Sequence, residues 1–237
     1  MKKDKKKFLI VVAHSDDAEL MYGGLISNLV RKGNIVDVLV VTDGSAWAPC
    51  FDGKDVFCAR QKEQAEAAKT LGINNCHYLK LKDGFVKASQ LEMPLLKKIR
   101  EIDPNVILTH SANEKHNDHR EVYLCLKRLC NLIDEPAPII NPFIDVGINP
   151  VKRFFGLYSF ARVEDINNPN LFFYPIEEVD IQQKMTAIEK FHSQGDIACL
   201  GEKIYHQAKF YGGLVGCEYA ELLCKETQPR YKILDDF

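Results

Sequence analysis

Phe8-Leu9-Ile10-Val11-Val12-Ala13-His14-Ser15-Asp16-Asp17-Ala18-Glu19 carries the reading from which the rest of the chain follows. Phe8 to Val12 is a continuous apolar run, the pattern of a strand buried on both faces, as strands of parallel sheets are. It gives way at once to His14, Ser15, Asp16 and Asp17. Ala18 to Lys32 then sets Leu20, Gly24, Ile26 and Leu29 near one helical stripe, and Gly33 stands where a C′ residue closes a helix. The stretch therefore predicts a buried strand, a polar turn and a helix.

Outward from there the unit repeats. Val36 to Val41 reads as a strand, Phe57 to Leu71 as a helix closed by Gly72, and Cys76 to Leu79 as a third strand. Ser89 to Ile102 is helical and ended by Pro104, Val106 to Thr109 is a fourth strand, and Asp118 to Ile133 carries Val122, Leu126, Leu129 and Ile133 on one helical stripe. Arg153 to Phe160 and Phe172 to Val179 read as later strands, Lys184 to Phe191 and Glu218 to Lys225 as helices. Repeated βαβ units imply right-handed crossovers with helices on both faces. The predicted fold is a Rossmann-like three-layer α/β/α architecture with a mostly parallel sheet, formed as one domain over residues 1–237. Glu135 to Pro150 reads as a long connection, with a lid as the alternative.

Composition narrows the function. With 46% hydrophobic and 27% charged residues the chain has the balance of an ordinary globular protein. A net charge of −2 argues against the basic face that phosphate backbones require, so no nucleic-acid partner is expected. The lysines at 2, 3, 5, 6 and 7 read as a solvated basic arm over residues 1–7, because Phe8 to Ala13 is too short for a signal-peptide core. No stretch approaches the roughly 20 apolar residues of a membrane span, and the cytoplasm is the expected location. The eight cysteines include no C-x-x-C pair and read as small buried residues, which leaves any metal to histidine and carboxylate.

The chemistry gathers where the sheet should expose it. Ligands of such folds bind beyond the carboxyl ends of the strands. Two adjacent carboxylates beside an imidazole there repel one another unless a cation or a shared proton intervenes. His14 and Asp17, three apart, can aim at one point across a tight turn, while Asp16 points elsewhere. The fourth strand ends likewise, in a loop carrying His110, Glu114, His116, Asp118 and His119, with His116 and His119 on one side of a helical turn. A His, Asp, His set with an open fourth position is the pattern of catalytic zinc. In that reading Asp16 is the general base, His116 donates to a developing oxyanion, and Asp118 fixes an imidazole in its useful tautomer.

These residues resemble the PIG-L/LmbE-like family of zinc-dependent N-acetylglucosaminyl deacetylases. That family's A-H-P-D-D motif, followed by an acidic residue, is matched by Ala13-His14-Ser15-Asp16-Asp17-Ala18-Glu19, and its H-x-D-H motif by His116-Asn117-Asp118-His119. The resemblance implies one zinc, or another divalent ion, on His14, Asp17 and His119, with Asp16, His116 and Asp118 in catalysis. Arg60-Gln61-Lys62-Glu63 with Ala67, Leu71 and Gly72 resembles the family's R-x-x-E helix, and Asp83-Gly84 its aspartate-glycine loop, which makes Arg60 and Asp83 candidate sugar contacts. Asp180, Lys184, Ala187, Ser193 and Gln194 resemble the helix before the family's last segment, and Gly216 to Glu221 its Y-A-E close. Ser15 replaces the family's usual proline, which loosens the turn without removing a ligand.

The expectation is thus a hydrolase that removes the N-acetyl group from an N-acetylglucosamine-type sugar or small glycoside. Its partner would be that small molecule, with no membrane and a homo-oligomer left open. Two other readings remain: a metal-dependent amidohydrolase or deformylase for a non-sugar amide, and a non-catalytic sugar- or nucleotide-binding domain. The absence of G-x-G-x-x-G after the first strand weighs against dinucleotide binding.

Overall fold

β1 (Lys7–Val12) is inaccessible from Leu9 onward, as a strand must be when it has neighbours on both sides and helices on both faces. In the computed structural model, which describes residues 4–46, 56–135, 149–165, 167–194 and 197–226, β1 pairs in parallel with β2 (Ile35–Thr42) and with β4 (Val106–Thr109). β3 (Asn75–Leu81), β5 (Gly156–Phe160), β6 (Leu171–Ile176) and β7 (Tyr219–Lys225) complete a seven-stranded sheet of order β3-β2-β1-β4-β5-β7-β6. β1 to β5 run parallel, and β7 runs against both of its neighbours. The mostly parallel three-layer expectation holds.

Alternate strand residues feed two cores. Ile10, Val12, Val38 and Val40 pack with α1 (Asp17–Arg31), α2 (Val56–Leu71) and α5 (Glu178–Ile188). Leu9, Val11, Leu39 and Ile107 pack with α3 (Ala88–Ile102) and α4 (Asn117–Leu129) on the opposite face. α1 ends as Gly33 predicts: at φ 85°, Gly33 donates to Val30 and Asn34 donates to Leu29, a Schellman closure that needs the left-handed conformation. The chain builds β1, β2 and β3 to one side, then returns to β4 on the other. A crevice therefore opens between the carboxyl ends of β1 and β4, the topological switch point.

The C-terminal part departs from the sequence reading. Glu218 to Lys225, expected as a helix, is the strand β7, and α6 (Ile197–Val215) was not anticipated. Tyr-Ala-Glu-Leu-Leu-Cys-Lys is made largely of good helix formers, but it fills the gap between β5 and β6 and is buried from Tyr219 to Cys224. Leu223 faces the α1 core, while Ala220, Leu222 and Cys224 meet Tyr211 of α6. Sheet pairing outweighs local propensity there. Lys7, expected in the solvated arm, opens β1: its N–H donates to Asn105 Oδ1 at 2.8 Å and its ammonium to the Ile102 carbonyl. Residues 136–148 of the expected connection lie outside the described residues. The six cysteines whose side chains are described are free thiols, and no helix among the described residues is long and apolar enough to cross a membrane.

Candidate active site

The turn leaving β1 is bent hard. Asp16 sits at φ 105°, ψ −31°, a conformation that costs a non-glycine residue about 1–3 kcal/mol. The bend folds Asp17 back, so that the His14 N–H donates to Asp17 Oδ2 at 2.8 Å while the Asp16 carbonyl accepts Leu20 N–H and starts α1. The strained backbone at Asp16 is what turns the Asp17 carboxylate back onto the His14 N–H.

His119, from the first turn of α4, completes a compact triangle. His14 Nδ1 lies 3.1 Å from His119 Nε2, and Asp17 Oδ2 lies 3.4 Å from each. Metal–ligand bonds of 2.0–2.1 Å at tetrahedral angles set ligand atoms roughly 3.3 Å apart. The three expected ligands therefore form one face of a tetrahedron that a zinc-sized cation fits.

Three other groups of potential ligands lie nearby: His14 with His116 and His119, His14 with Asp83 and Asp118, and Asp17 with His110 and His119. His14 Nε2 faces Asp83 Oδ1 at 3.0 Å and Asp118 Oδ2 at 3.5 Å. Those carboxylates are already supplied with donors: Ala46 N–H for Asp83, and the Gly84 and Val86 N–H groups for Asp118. Asp17, His110 and His119 also approach one another, but His110 Nε2 already accepts Ala13 N–H at 2.8 Å. One nitrogen of His14 thus faces the triangle and the other is held by carboxylates, an arrangement that fixes ring orientation and raises ligand basicity.

Electrostatics agree with a site built for a cation. Burial opposes charge on His14, yet Asp118, Asp17 and Asp83 push its imidazole up to about 12. Asp17 pays burial too, but His119, His110 and His14 hold its carboxyl far below the usual carboxylate range. Asp16 goes the other way: burial, then the adjacent Asp17, lift its carboxyl well above the ordinary value, against the pull of His14 and Arg60. A carboxylate lifted in this way is a better proton acceptor. His116 caps α4 without using its side chain, lies exposed at the rim, and meets His14 edge-on at 4.8 Å between ring centres. Burial, followed by His14 and His119, keeps its pKa below the ordinary value.

Comparison with known proteins follows the same two strand ends. A family model described as GlcNAc-PI de-N-acetylase, PIG-L, matches residues 9–130, just over half of the 237. The chain belongs to the PIG-L family. Diacetylchitobiose deacetylase of Thermococcus kodakarensis is 27% identical over 228 residues, covering 92% of this chain and 82% of that protein. The solved N,N'-diacetylchitobiose deacetylase of Pyrococcus horikoshii, complexed with its inhibitor MPG, superposes at TM-score 0.81 with 26% identity over 94% of this chain and 84% of that one. A 4-carboxy-2-hydroxymuconate hydratase of Pseudomonas putida superposes at TM-score 0.74 with 20% identity, covering 96% of this chain and 98% of that one. That likeness is one of fold, and it shows that the PIG-L frame alone does not fix the reaction.

Within this PIG-L frame the remaining expected residues fall close to the triangle, though not always as expected. Asp83 and Gly84 form the centre of a turn, with Phe85 N–H bonded to the Lys82 carbonyl and Gly84 at φ 80°. Asp83 commits one oxygen to His14 and the other to Ala46, so its place is behind a ligand rather than in an open pocket. The imidazole that Asp118 faces is that of His14. Arg60 is buried over Gly44, where a Cβ would come within 2.8 Å of its Cδ, and its charge reaches Asp16 and Asp83. Glu63 accepts from the N–H and hydroxyl of Ser193, which ties α2 to the segment after α5.

Two residues gain parts that the sequence did not single out. Arg162, just past β5, bonds Glu114 Oε1 at 2.7 Å, and Glu114 Oε2 lies 3.6 Å from His119 Nδ1. The position of Arg162 beyond the carboxyl end of a parallel strand was its only signal. Glu19 is fully buried on Gln64, and burial raises its carboxyl to about 8, which makes it a neutral structural partner between α1 and α2. Beside the cluster, a groove of about 530 Å³ runs past Gly84, Phe85, Asn117, Glu121 and Arg128, with Phe85 68% exposed at its edge.

Proposed function

We propose that this chain is a zinc-dependent hydrolase that removes the N-acetyl group from an N-acetylglucosamine-type sugar or small glycoside. The observation that carries the reading is the triangle of His14 Nδ1, Asp17 Oδ2 and His119 Nε2, with Asp16 beside it and free of it. His14, Asp17 and His119 would hold the ion. When bound, such an ion lowers the pKa of water to about 7 and polarises an amide carbonyl.

The chain's own groups supply the rest. Asp16 takes a proton from the attacking water and returns it to the departing amine, so that the C–N bond breaks as the leaving group becomes neutral. His116 donates to the carbonyl oxygen as negative charge collects there, from an exposed rim that substrate can reach. Asp83 and Asp118 keep His14 in the tautomer that presents Nδ1 to the ion. Arg60 offsets the negative charge of Asp16 and Asp83 from behind.

The test is direct. Purified chain incubated with N-acetylglucosamine and its glycosides should release acetate and a primary amine, stop when a chelator strips the metal, and resume on adding zinc. Acetate release that is indifferent to the chelator would refute the reading.

A further inference from the structure

β1 and β4 stop pairing before the site is reached. Their backbone ladder ends at Ile10 and Leu108, and Thr109 extends it with its hydroxyl, which donates to the Val11 carbonyl at 3.0 Å. One residue on, His110 takes over. Its Nε2 accepts Ala13 N–H at 2.8 Å, the bond a strand carbonyl would otherwise make. From the opposite side, Thr42 donates both its N–H and its hydroxyl to the Ala13 carbonyl, at 2.9 and 2.8 Å. Ala13, the residue before His14, is therefore gripped on both flanks, with His110 holding the Val12–Ala13 peptide and Thr42 the Ala13–His14 peptide.

The same ring has a second contact. It lies flat against His119, with ring centres 3.9 Å apart and planes 15° from parallel. We propose that His110 is a positioning residue that clamps two ligands of the proposed metal site at once, the backbone before His14 through Nε2 and the ring of His119 through its face. This rests on the reading of His14, Asp17 and His119 as ligands.

The chemistry of the ring excludes the simpler role of a fourth ligand. An imidazole nitrogen has one lone pair in the ring plane, and that of Nε2 is spent on Ala13. The proton then sits on Nδ1, which is buried without a partner among the described residues. Leaving a buried donor unmet is unfavourable, and a residue chosen only to fill space would not need it. A ring with an acceptor nitrogen on its edge does need it. Phenylalanine and tryptophan offer the face without an acceptor, tyrosine carries its acceptor oxygen beyond the ring and so too far from the backbone, and glutamine, asparagine and threonine offer an acceptor without the face. Histidine alone combines them, and in the neutral form required here it adds no charge against a cation.

The two functions are separable by substitution. His110→Phe keeps the face and loses the acceptor. His110→Gln keeps an acceptor as many bonds from the backbone as Nε2, and loses the face. Zinc affinity, measured by competition with a chromophoric chelator, should fall on the order of 10–100-fold in each, the range seen when partners behind a metal ligand are removed. Melting of the metal-free proteins, compared in parallel, should move far less than the affinity does. Native-like zinc affinity in either variant overturns the clamp. A native chain that refuses zinc overturns the metal-site reading itself, and the clamp with it. A second measurement needs no variant: nitrogen-15 spectra of the native protein should show His110 as the Nδ1–H tautomer, unchanged by zinc. An Nε2–H tautomer, or a zinc-induced shift at Nε2, would equally overturn it.

Discussion

Asp16 and Asp83 are both acidic, both buried and both within the cluster, yet they should fail differently. Asp16→Asn removes the proton acceptor but no ligand, so kcat should fall about 10²–10⁴-fold while zinc content stays near one per chain. Asp83→Asn leaves Asp16 in place and weakens the hold on His14 Nε2, so zinc affinity should drop on the order of 10–100-fold, with activity largely recovered at saturating zinc. Metal analysis alongside initial rates separates the two; equal loss of zinc in both variants would contradict the assigned roles. Much of this was legible at the residue level. His14 and Asp17 stand out in the sequence because they lie just beyond a buried strand, and His119 because it shares a helical turn with His116 after the next parallel strand. Asp83 was expected as a sugar contact and not as a partner of His14, because that contact joins residues 69 positions apart and depends on a turn whose direction no local pattern reveals.

At the scale of elements, the N-terminal units were readable because each strand is a short apolar run and the first three helices have stops, glycine after α1 and α2 and Pro104 after α3. β7 was not, since its helix-prone composition is overruled by pairing on both sides. What anchors β7 is a buried polar contact. Glu221 accepts the Gly24 and Leu25 N–H groups of α1 at 3.0 and 2.8 Å and pairs with Lys184 of α5 at 2.6 Å. Gly24 has no room for a side chain: a Cβ would lie 2.5 Å from Ile176 Cδ1 and 3.0 Å from Glu221 Oε1. Gly24→Ala should therefore destabilise the chain by about 1–3 kcal/mol despite alanine's better helix propensity. Thermal melting reads this; an unchanged or raised midpoint would show that β7 and α1 are not packed this closely.

For the whole molecule, Asp180 is the tie between the C-terminal elements and the first helix. It is fully buried, accepts from Ser27, Asn28 and Arg31 of α1, and closes a capping box with Glu177 at the start of α5. Burial would raise its pKa, but Arg31, Asn28, the Glu177 N–H and Ser27 bring it below the ordinary 3.8. A carboxyl depressed in the folded state adds stability that is present above its unfolded pKa and is lost as pH falls through the folded one. Asp180→Asn should accordingly lower stability by about 2 kcal/mol at pH 7, and the gap between variant and native should close as pH drops below about 4. Denaturant melts at pH 7, 4 and 3 check the sign; a gap that widens on acidification would contradict it.

The central claim is that three side chains from two strand ends share one cation. Anomalous diffraction at the zinc edge, from crystals grown with zinc, tests it most directly. The account predicts one strong peak at bonding distance, about 2.0–2.2 Å, from His14 Nδ1, Asp17 Oδ2 and His119 Nε2. A peak on His110 Nε2, a peak between Asp83 and Asp118, or none in the crevice would contradict it.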